Sequence, residues 1–302
     1  MLLLSVRRHA TRSTQRTTRL ECGVLDFITS VAGVQVPRII YGTAWKKADT
    51  ERLVRLAIHQ GFRGIDTACQ PKHYDEAGVG AGVTASLGDQ LTRAQLYLQT
   101  KFTPLTGQDP ARIPYDPKAP LPEQVAQSVA ASLRNLQTDY LDCLVLHSPL
   151  ASEKHTMEVW RSMESLVDSG GARQLGISSC HDLAELEGLF RSARVKPAVV
   201  QNRFYADTSY DREIRAFCSK QRIVYQSFWT LTANPRVLAH ATIKSLASKY
   251  GRTPAQIFFR YLTQGGVVPL TGTHSQTHMR EDLAIFEFEL TDGEREAVEE
   301  LL

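Results

Sequence analysis

Eight short apolar runs, separated by helical patterns or loops, constrain the fold of this chain more than any other feature. From Pro37 onward they are Arg38–Tyr41, Arg63–Asp66, Leu96–Lys101, Leu141–His147, Arg173–Ser178, Ala198–Gln201, Ile223–Phe228 and Val267–Pro269. Between them lie helical stretches such as Thr50–Gln60, Pro122–Leu136, Met157–Ser169 and Ala184–Ser192. Leu183, Leu186, Leu189 and Phe190 recur at helical spacing, which predicts a face packed on a sheet. Thr253-Pro254 reads as N-cap and first residue of a further helix running to about Thr263. Strands that alternate with helices in this way are parallel and joined by crossovers.

Eight such units predict an α/β chain folded as a single closed (β/α)8 TIM barrel. A doubly wound open sheet is the alternative, because periodicity alone does not show closure. The chain has 302 residues, which suits one barrel of roughly 250 residues with additions. A content of 42% hydrophobic and 22% charged residues is that of a globular protein. No window of 18 uninterrupted apolar residues occurs, so no membrane span or membrane partner is expected. Cys22, Cys69, Cys143, Cys180 and Cys218 have neither metal-site spacing nor a paired framework, and read as free thiols in a reducing compartment.

The net charge of +3 is concentrated at one end. Residues 1–20 carry Arg7, Arg8, Arg12, Arg16 and Arg19 with no acid and no lysine, so residues 21–302 stand at −2. A near-neutral body argues against nucleic acid as a partner. The division drawn is a basic N-terminal extension over 1–30 and a barrel over 31–302. The extension, rich in Ser and Thr, fits a mitochondrial transit peptide as well as it fits a disordered tail. The corresponding locations are mitochondrial or cytoplasmic. The segment Thr103–Pro122, with six prolines and Gly107, is a long loop expected over the mouth of the barrel.

Barrels place reactive groups where strands end at the carboxyl face. Here the second strand ends in Asp66, the third in Lys101 and the fourth in His147, and Tyr74 follows Asp66 after a short insert. Taken singly, Asp66 can be a turn cap, Lys101 a surface lysine, His147 a structural histidine and Tyr74 a half-buried helix tyrosine. Three successive strand ends carrying such groups point to proton transfer at a shared mouth. An unperturbed tyrosine, with a pKa of about 10, is a weak acid for that task, and a neighbouring lysine cation, itself held by an aspartate, lowers it. A histidine can orient a carbonyl or share in proton delivery. No metal spacing is present, and none is required.

Gly61-Phe62-Arg63-Gly64-Ile65-Asp66-Thr67-Ala68 with Tyr74-Asp75-Glu76, then Leu98-Gln99-Thr100-Lys101-Phe102, then Asp139-Tyr140-Leu141-Asp142 through Leu146-His147, together resemble the aldo-keto reductase family. The resemblance runs from about Pro37 to Leu290. It implies reduction of aldehydes or ketones to alcohols by hydride transfer from NADP(H) or NAD(H). Tyr74 is then the general acid, Asp66 and Lys101 its tuners, and His147 the carbonyl-orienting group. Trp45 resembles a substrate-pocket aromatic, though by itself it reads equally as a half-buried loop tryptophan.

For the cofactor, the resemblance implies Ser178, Ser179 and Gln201 at the nicotinamide carboxamide, with Ser179 where an asparagine is usual. Ser227-Phe228-Trp229-Thr230-Leu231 stands where the family has a stacking tyrosine. Phe228 becomes the stacking ring, with Thr230 and Leu231 beside it. Without the family, Phe228 and Trp229 would read as core. Pro269 to Thr273, followed by a helix near Gln276, resembles the adenosine-phosphate site. There Gly272 and His278 replace the family's lysine and arginine, and Thr273 and Asp282 complete the set. A weak preference for NADPH, or none, follows. The eight-residue separation of Asp66 and Tyr74 exceeds the family's usual spacing, so Gln70-Pro71-Lys72-His73 must bulge. Gly78-Val79-Gly80-Ala81-Gly82 lacks the spacing and the preceding strand of a dinucleotide loop. Two other readings remain: a Schiff-base aldolase using Lys101, and a regulatory cofactor-binding barrel with little turnover.

Overall fold

The computed structural model describes residues 26–302. A two-stranded antiparallel hairpin, β1 (Phe27–Thr29) and β2 (Gln35–Pro37), leads into eight barrel strands. These are β3 (Ile40–Gly42), β4 (Gly64–Asp66), β5 (Tyr97–Phe102), β6 (Cys143–Leu146), β7 (Leu175–Ser178), β8 (Val199–Arg203), β9 (Val224–Phe228) and β10 (Val268–Thr271). Every neighbouring pair is parallel, and β10 closes on β3, so the open-sheet alternative is excluded.

The helices are α1 (Thr50–Gln60), α2 (Glu76–Thr84), α3 (Leu121–Leu136), α4 (Glu153–Asp168), α5 (Leu183–Ser192) and α6 (Arg212–Gln221). There follow α7 (Pro235–Ala239), α8 (Ala241–Tyr250), α9 (Pro254–Gln264), α10 (Gln276–Leu283) and α11 (Asp292–Glu299). Among the described residues no helix is long and apolar enough to cross a membrane.

Local chemistry accounts for the element ends. α1 buries Leu53, Val54, Ala57 and Ile58 on one stripe and stops at Gly61, whose φ of 120° suits glycine. α9 opens with Pro254 and a reciprocal capping box between Thr253 and Gln256. The glycines of α2 serve packing. A Cβ on Gly80 would lie 2.1 Å from the Asn135 carbonyl oxygen, and one on Gly82 would lie 2.8 Å from that of Glu51. Three helices therefore approach more closely than any side chain at those positions would allow.

The core has two compartments. The larger lies between strands and helices and includes Trp160, Phe62, Phe258 and Phe259. The smaller fills the barrel itself with Ile40, Tyr97, Cys143, Val145, Val199, Val224 and Val268. Val36 of the hairpin joins this inner cluster, so β1 and β2 plug the amino end of the barrel. Phe27–Thr29, placed in the N-terminal extension by the sequence reading, thus form one strand of this hairpin. Cys69, Cys143, Cys180 and Cys218 are free and buried.

Candidate active site

At the carboxyl end of the barrel, side chains alternate between the lumen and the helices. Gln99 and Lys101 of β5 point inward to Asp66 at the end of β4. The Lys101 amine donates to both Asp66 carboxylate oxygens at 2.7 Å, and to the Thr67 carbonyl oxygen at 2.8 Å. Gln99 and Gln201 donate to Asp66 Oδ1 at 2.6 and 3.0 Å, and both also donate to Gln226 Oε1 at 2.9 Å. Asp66 and Lys101 are buried, and this ion pair is saturated with hydrogen bonds. An ammonium has three N–H donors, and all three have protein acceptors here. A Schiff-base role for Lys101 therefore finds no free amine.

The insert after Asp66 bulges as the spacing requires. The Gln70 carbonyl oxygen accepts from the backbone N–H groups of both His73 and Tyr74 at 3.1 Å, a turn that swings Tyr74 back over the mouth. Asp75 then caps α2 by accepting from Gly78 N–H at 3.0 Å. Glu76 anchors that end, accepting from Thr100 and Ser132 at 2.6 and 2.8 Å. The Tyr74 ring centre lies 5.3 Å from Lys101 Nζ, and 6.1 Å from the His147 ring in an edge-to-face arrangement. Among the described residues its hydroxyl has no protein partner.

Burial pushes the Tyr74 phenol above the ordinary tyrosine value, and the Asp66 charge pushes it the same way. The sequence argument had Lys101 lowering it. In the structure the net direction is upward, with burial the larger cause and the Asp66 charge the smaller. Tyr74 is held as a neutral phenol, a proton donor throughout the physiological range. His147 bonds through Nδ1 to Thr103 Oγ1 at 2.7 Å. Burial, then the charges of Lys101 and His73, lower its pKa to about 3, so it is a neutral imidazole. The loop after β5 reinforces this rim: Gln70 donates to the Gly107 carbonyl oxygen at 2.7 Å, and Tyr115 packs on Phe102. Trp45 stands at the same rim, half exposed, its ring 3.9 Å from that of His73 and its backbone N–H on the His73 carbonyl oxygen at 2.7 Å.

The other half of the mouth is more open. Ser178 is buried at the end of β7, and Ser179 is exposed with φ 54°. Phe228 is half-buried at the end of β9. Thr230 is turned inward, donating to Ser227 Oγ at 2.9 Å, and Leu231 packs against the core. Gly272 and His278 are exposed, and Thr273 accepts through Oγ1 from Ser275 N–H at 3.1 Å. Asp282 differs from the exposed Gly272 and His278. It is buried and accepts from Thr271 at 2.7 Å, tying α10 to β10, and burial raises its carboxyl to about 6.

Sequence reasoning missed Lys46. Its buried amine donates to the Gly272 carbonyl oxygen, and burial lowers its pKa to about 8. Its position directly after Trp45 was the available signal. It also missed Gln226, although inward alternation along β9 would have found it. A cavity of about 1090 Å³ lies elsewhere, at the amino ends of the strands, lined by residues that include Arg52, His59 and Arg63. None of the four mouth residues reaches it.

Fold and mouth together place a tyrosine, a lysine, an aspartate and a histidine at the carboxyl end of one closed barrel. The chain belongs to the aldo/keto reductase family, whose model matches residues 38–302. It is 27% identical over 272 residues to the uncharacterized oxidoreductase YtbE of Bacillus subtilis, covering 89% of this chain and 90% of that protein. It is 29% identical to the glyoxal reductase of the same organism, with 82% of each chain covered. An aldo/keto reductase structure from Brucella melitensis superposes with a TM-score of 0.78 at 26% identity, over 92% of this chain and all of that one.

Proposed function

We propose that Tyr74 delivers the proton in a reduction of aldehydes or ketones to alcohols, with NADPH or NADH as the cofactor. The observation that supports this best is the neutral, half-buried Tyr74 hydroxyl set beside a neutral His147 and over a saturated Asp66–Lys101 pair. A bound nicotinamide supplies the hydride. The residues fit such a group. Phe228 at the end of β9 presents an aromatic face, and Lys46 supplies a cation at Gly272. The first turn of α10 presents backbone N–H groups toward anions. A silkworm aldo-keto reductase of the same fold, 23% identical with a TM-score of 0.77, was solved in complex with NADP.

In this reading His147 fixes the carbonyl oxygen within reach of Tyr74, and Trp45 with His73 walls the substrate side. Gln201 and Ser178 orient the carboxamide, and Thr273 and His278 meet the adenosine phosphate. Asp282 acts by holding α10 in place. Residues 1–20 lie outside the described part of the chain and take no part in the proposed chemistry, whether as a transit peptide or as a tail. The location of a fusion carrying residues 1–30 decides between cytoplasm and mitochondrion.

The test is consumption of NADPH and NADH by the purified protein against glyoxal, methylglyoxal, aromatic aldehydes and ketones. Turnover with any of them is the expected result. Tight cofactor binding without turnover would instead support a regulatory barrel.

A further inference from the structure

Arg203 has no role in the reaction as derived above, yet it points into the same mouth. Gln201 reaches inward to Asp66, while Asn202 reaches outward to Asp211 at 2.6 Å, so Arg203 at the end of β8 faces inward again. It pairs in register with Phe228, the proposed nicotinamide-stacking residue. Its guanidinium carbon lies 4.3 Å from the ring centre of Tyr205 and 4.5 Å from that of Trp229.

Trp229 is held in this position at φ 56°, a left-handed conformation unfavourable for a tryptophan, and nearly half of it is exposed. The other jaw is itself braced: Tyr205 meets His181 edge-to-face at 6.2 Å, and His181 is bonded to Asp211 at 3.0 Å.

The charge between those jaws is unmatched. Among the described residues no carboxylate lies within ion-pair distance of Arg203, and its buried Nε has no hydrogen-bond partner. Other arginines in comparable surroundings are paired. Arg93 and Arg173 both lie over Tyr140, and both bond to Asp142, at 2.8 and 3.0 Å. Arg38 and Arg260 likewise face Asp26 and Glu289. A guanidinium held by its faces keeps its N–H edge free, and that edge matches the oxygens of phosphate or carboxylate.

We propose that Arg203, clamped between Tyr205 and Trp229, is an anion-binding residue of the barrel mouth, taking a phosphate oxygen of the cofactor's diphosphate or the carboxylate of an acidic carbonyl substrate. The proposal rests on the reductase reading of the mouth and adds a specificity-determining contact to it. The two sources are separable, because the diphosphate is common to NADPH and NADH whereas the carboxylate belongs to only some substrates.

The experiment compares wild type, Arg203→Gln and Arg203→Lys in two measurements. One is the Kd of NADPH and of NADH from quenching of protein fluorescence. The other is KM for 4-carboxybenzaldehyde against benzaldehyde. If the diphosphate is the ligand, Arg203→Gln weakens both cofactors about tenfold or more and by the same factor, the usual scale for one charge-assisted contact. If the carboxylate is the ligand, cofactor Kd stays put and KM rises about tenfold for 4-carboxybenzaldehyde alone. Arg203→Lys loses part of either effect. Trp229→Ala, at an exposed site, gives a smaller loss of the same kind and serves if Arg203→Gln folds poorly. Wild type that binds and turns over, with both measurements unchanged in Arg203→Gln or Trp229→Ala, overturns the inference alone. Wild type that binds no nicotinamide cofactor overturns the reductase reading and this inference with it.

Discussion

Between the ends of β4 and β6 the mouth is densely bonded, and between the ends of β7 and β10 it is sparsely bonded. On the first side Asp66 accepts from Lys101, Gln99 and Gln201, and Lys101 has no donor left over. On the second side Ser179, Trp229, Gly272 and His278 are exposed, and among the described residues the His278 ring makes only a 3.4 Å polar approach to Thr273 Oγ1. A saturated buried network fixes one geometry and one set of protonation states. An open rim of polar side chains decides affinity and selectivity, and can change residue by residue without unfolding the barrel. On the proposed reading the dense half sets the reaction, and the sparse half sets which molecules take part in it.

The largest expected effect comes from the dense half. Tyr74→Phe removes the phenolic proton and little packing, so kcat falls by about 10²–10⁴-fold while NADPH affinity is kept. A variant retaining more than about a tenth of wild-type kcat, the scale at which general acid catalysis becomes negligible, breaks the assignment. The same burial sets the pH dependence. With His147 lowered to about 3 and Tyr74 raised, neither group titrates in the reductive direction between about pH 5 and 9. The kcat profile there is flat, and an ionisation near the ordinary histidine value of about 6.5 would sink the neutral imidazole. For stability the sign is fixed by linkage. The unfolded chain takes up the His147 proton first as pH falls below about 6.5, so this group's contribution is present above that value and is lost toward pH 3.

Lys101→Met is next. It leaves Asp66 buried with two neutral amide donors and no cation, a change that typically costs about 3–5 kcal/mol. Urea unfolding should show that loss, together with loss of turnover. A destabilisation under about 1 kcal/mol, the scale of an exposed pair, would mean that the pair is not the fixed core of the site.

The same division explains what could be read from sequence. Asp66, Lys101 and His147 were visible because each closes an apolar run, and helix α1 was legible to the residue because an apolar stripe ends at Gly61. The hairpin was not, because Phe27–Thr29 and Gln35–Pro37 are only three residues long, too short to show alternation. The burial of Asp282 was not legible, because burial of a polar residue depends on a partner, here Thr271, that packing supplies. The direction of the Tyr74 shift was not legible for a related reason: sequence shows that a cation is near, but not how deeply the phenol is buried. Arg203 was invisible, since its two aromatic neighbours come from different loops.

In the sparse half, His278→Arg should place a permanent planar cation in the first turn of α10. A charged hydrogen bond contributes about 1.5–3 kcal/mol, so NADPH binding tightens roughly 10–100-fold while NADH is unchanged. Wild type, with Gly272 and His278 in place of two permanent cations, should show a weak NADPH preference or none. Dissociation constants differing by more than about a thousandfold between the two cofactors, about 4 kcal/mol, would refute that account of the rim.

The smallest effect tests what the strained backbone of the open half serves. Ser179 sits at φ 54°, with its N–H bonded to the Gln201 carbonyl oxygen at 3.1 Å. The left-handed region costs an ordinary residue about 1–2 kcal/mol, and asparagine is among the few side chains that tolerate it. Ser179→Asn keeps the backbone bond, relieves part of that cost and adds an amide that can reach a carboxamide. Stability should therefore rise by about 0.5 kcal/mol, a fraction of the left-handed penalty. Cofactor affinity should rise by a few-fold, equally for NADPH and NADH because the carboxamide is common to both. A gain in stability without a gain in affinity would mean that Ser179 lies off the carboxamide, and that the strained turn after β7 serves the barrel rather than the ligand.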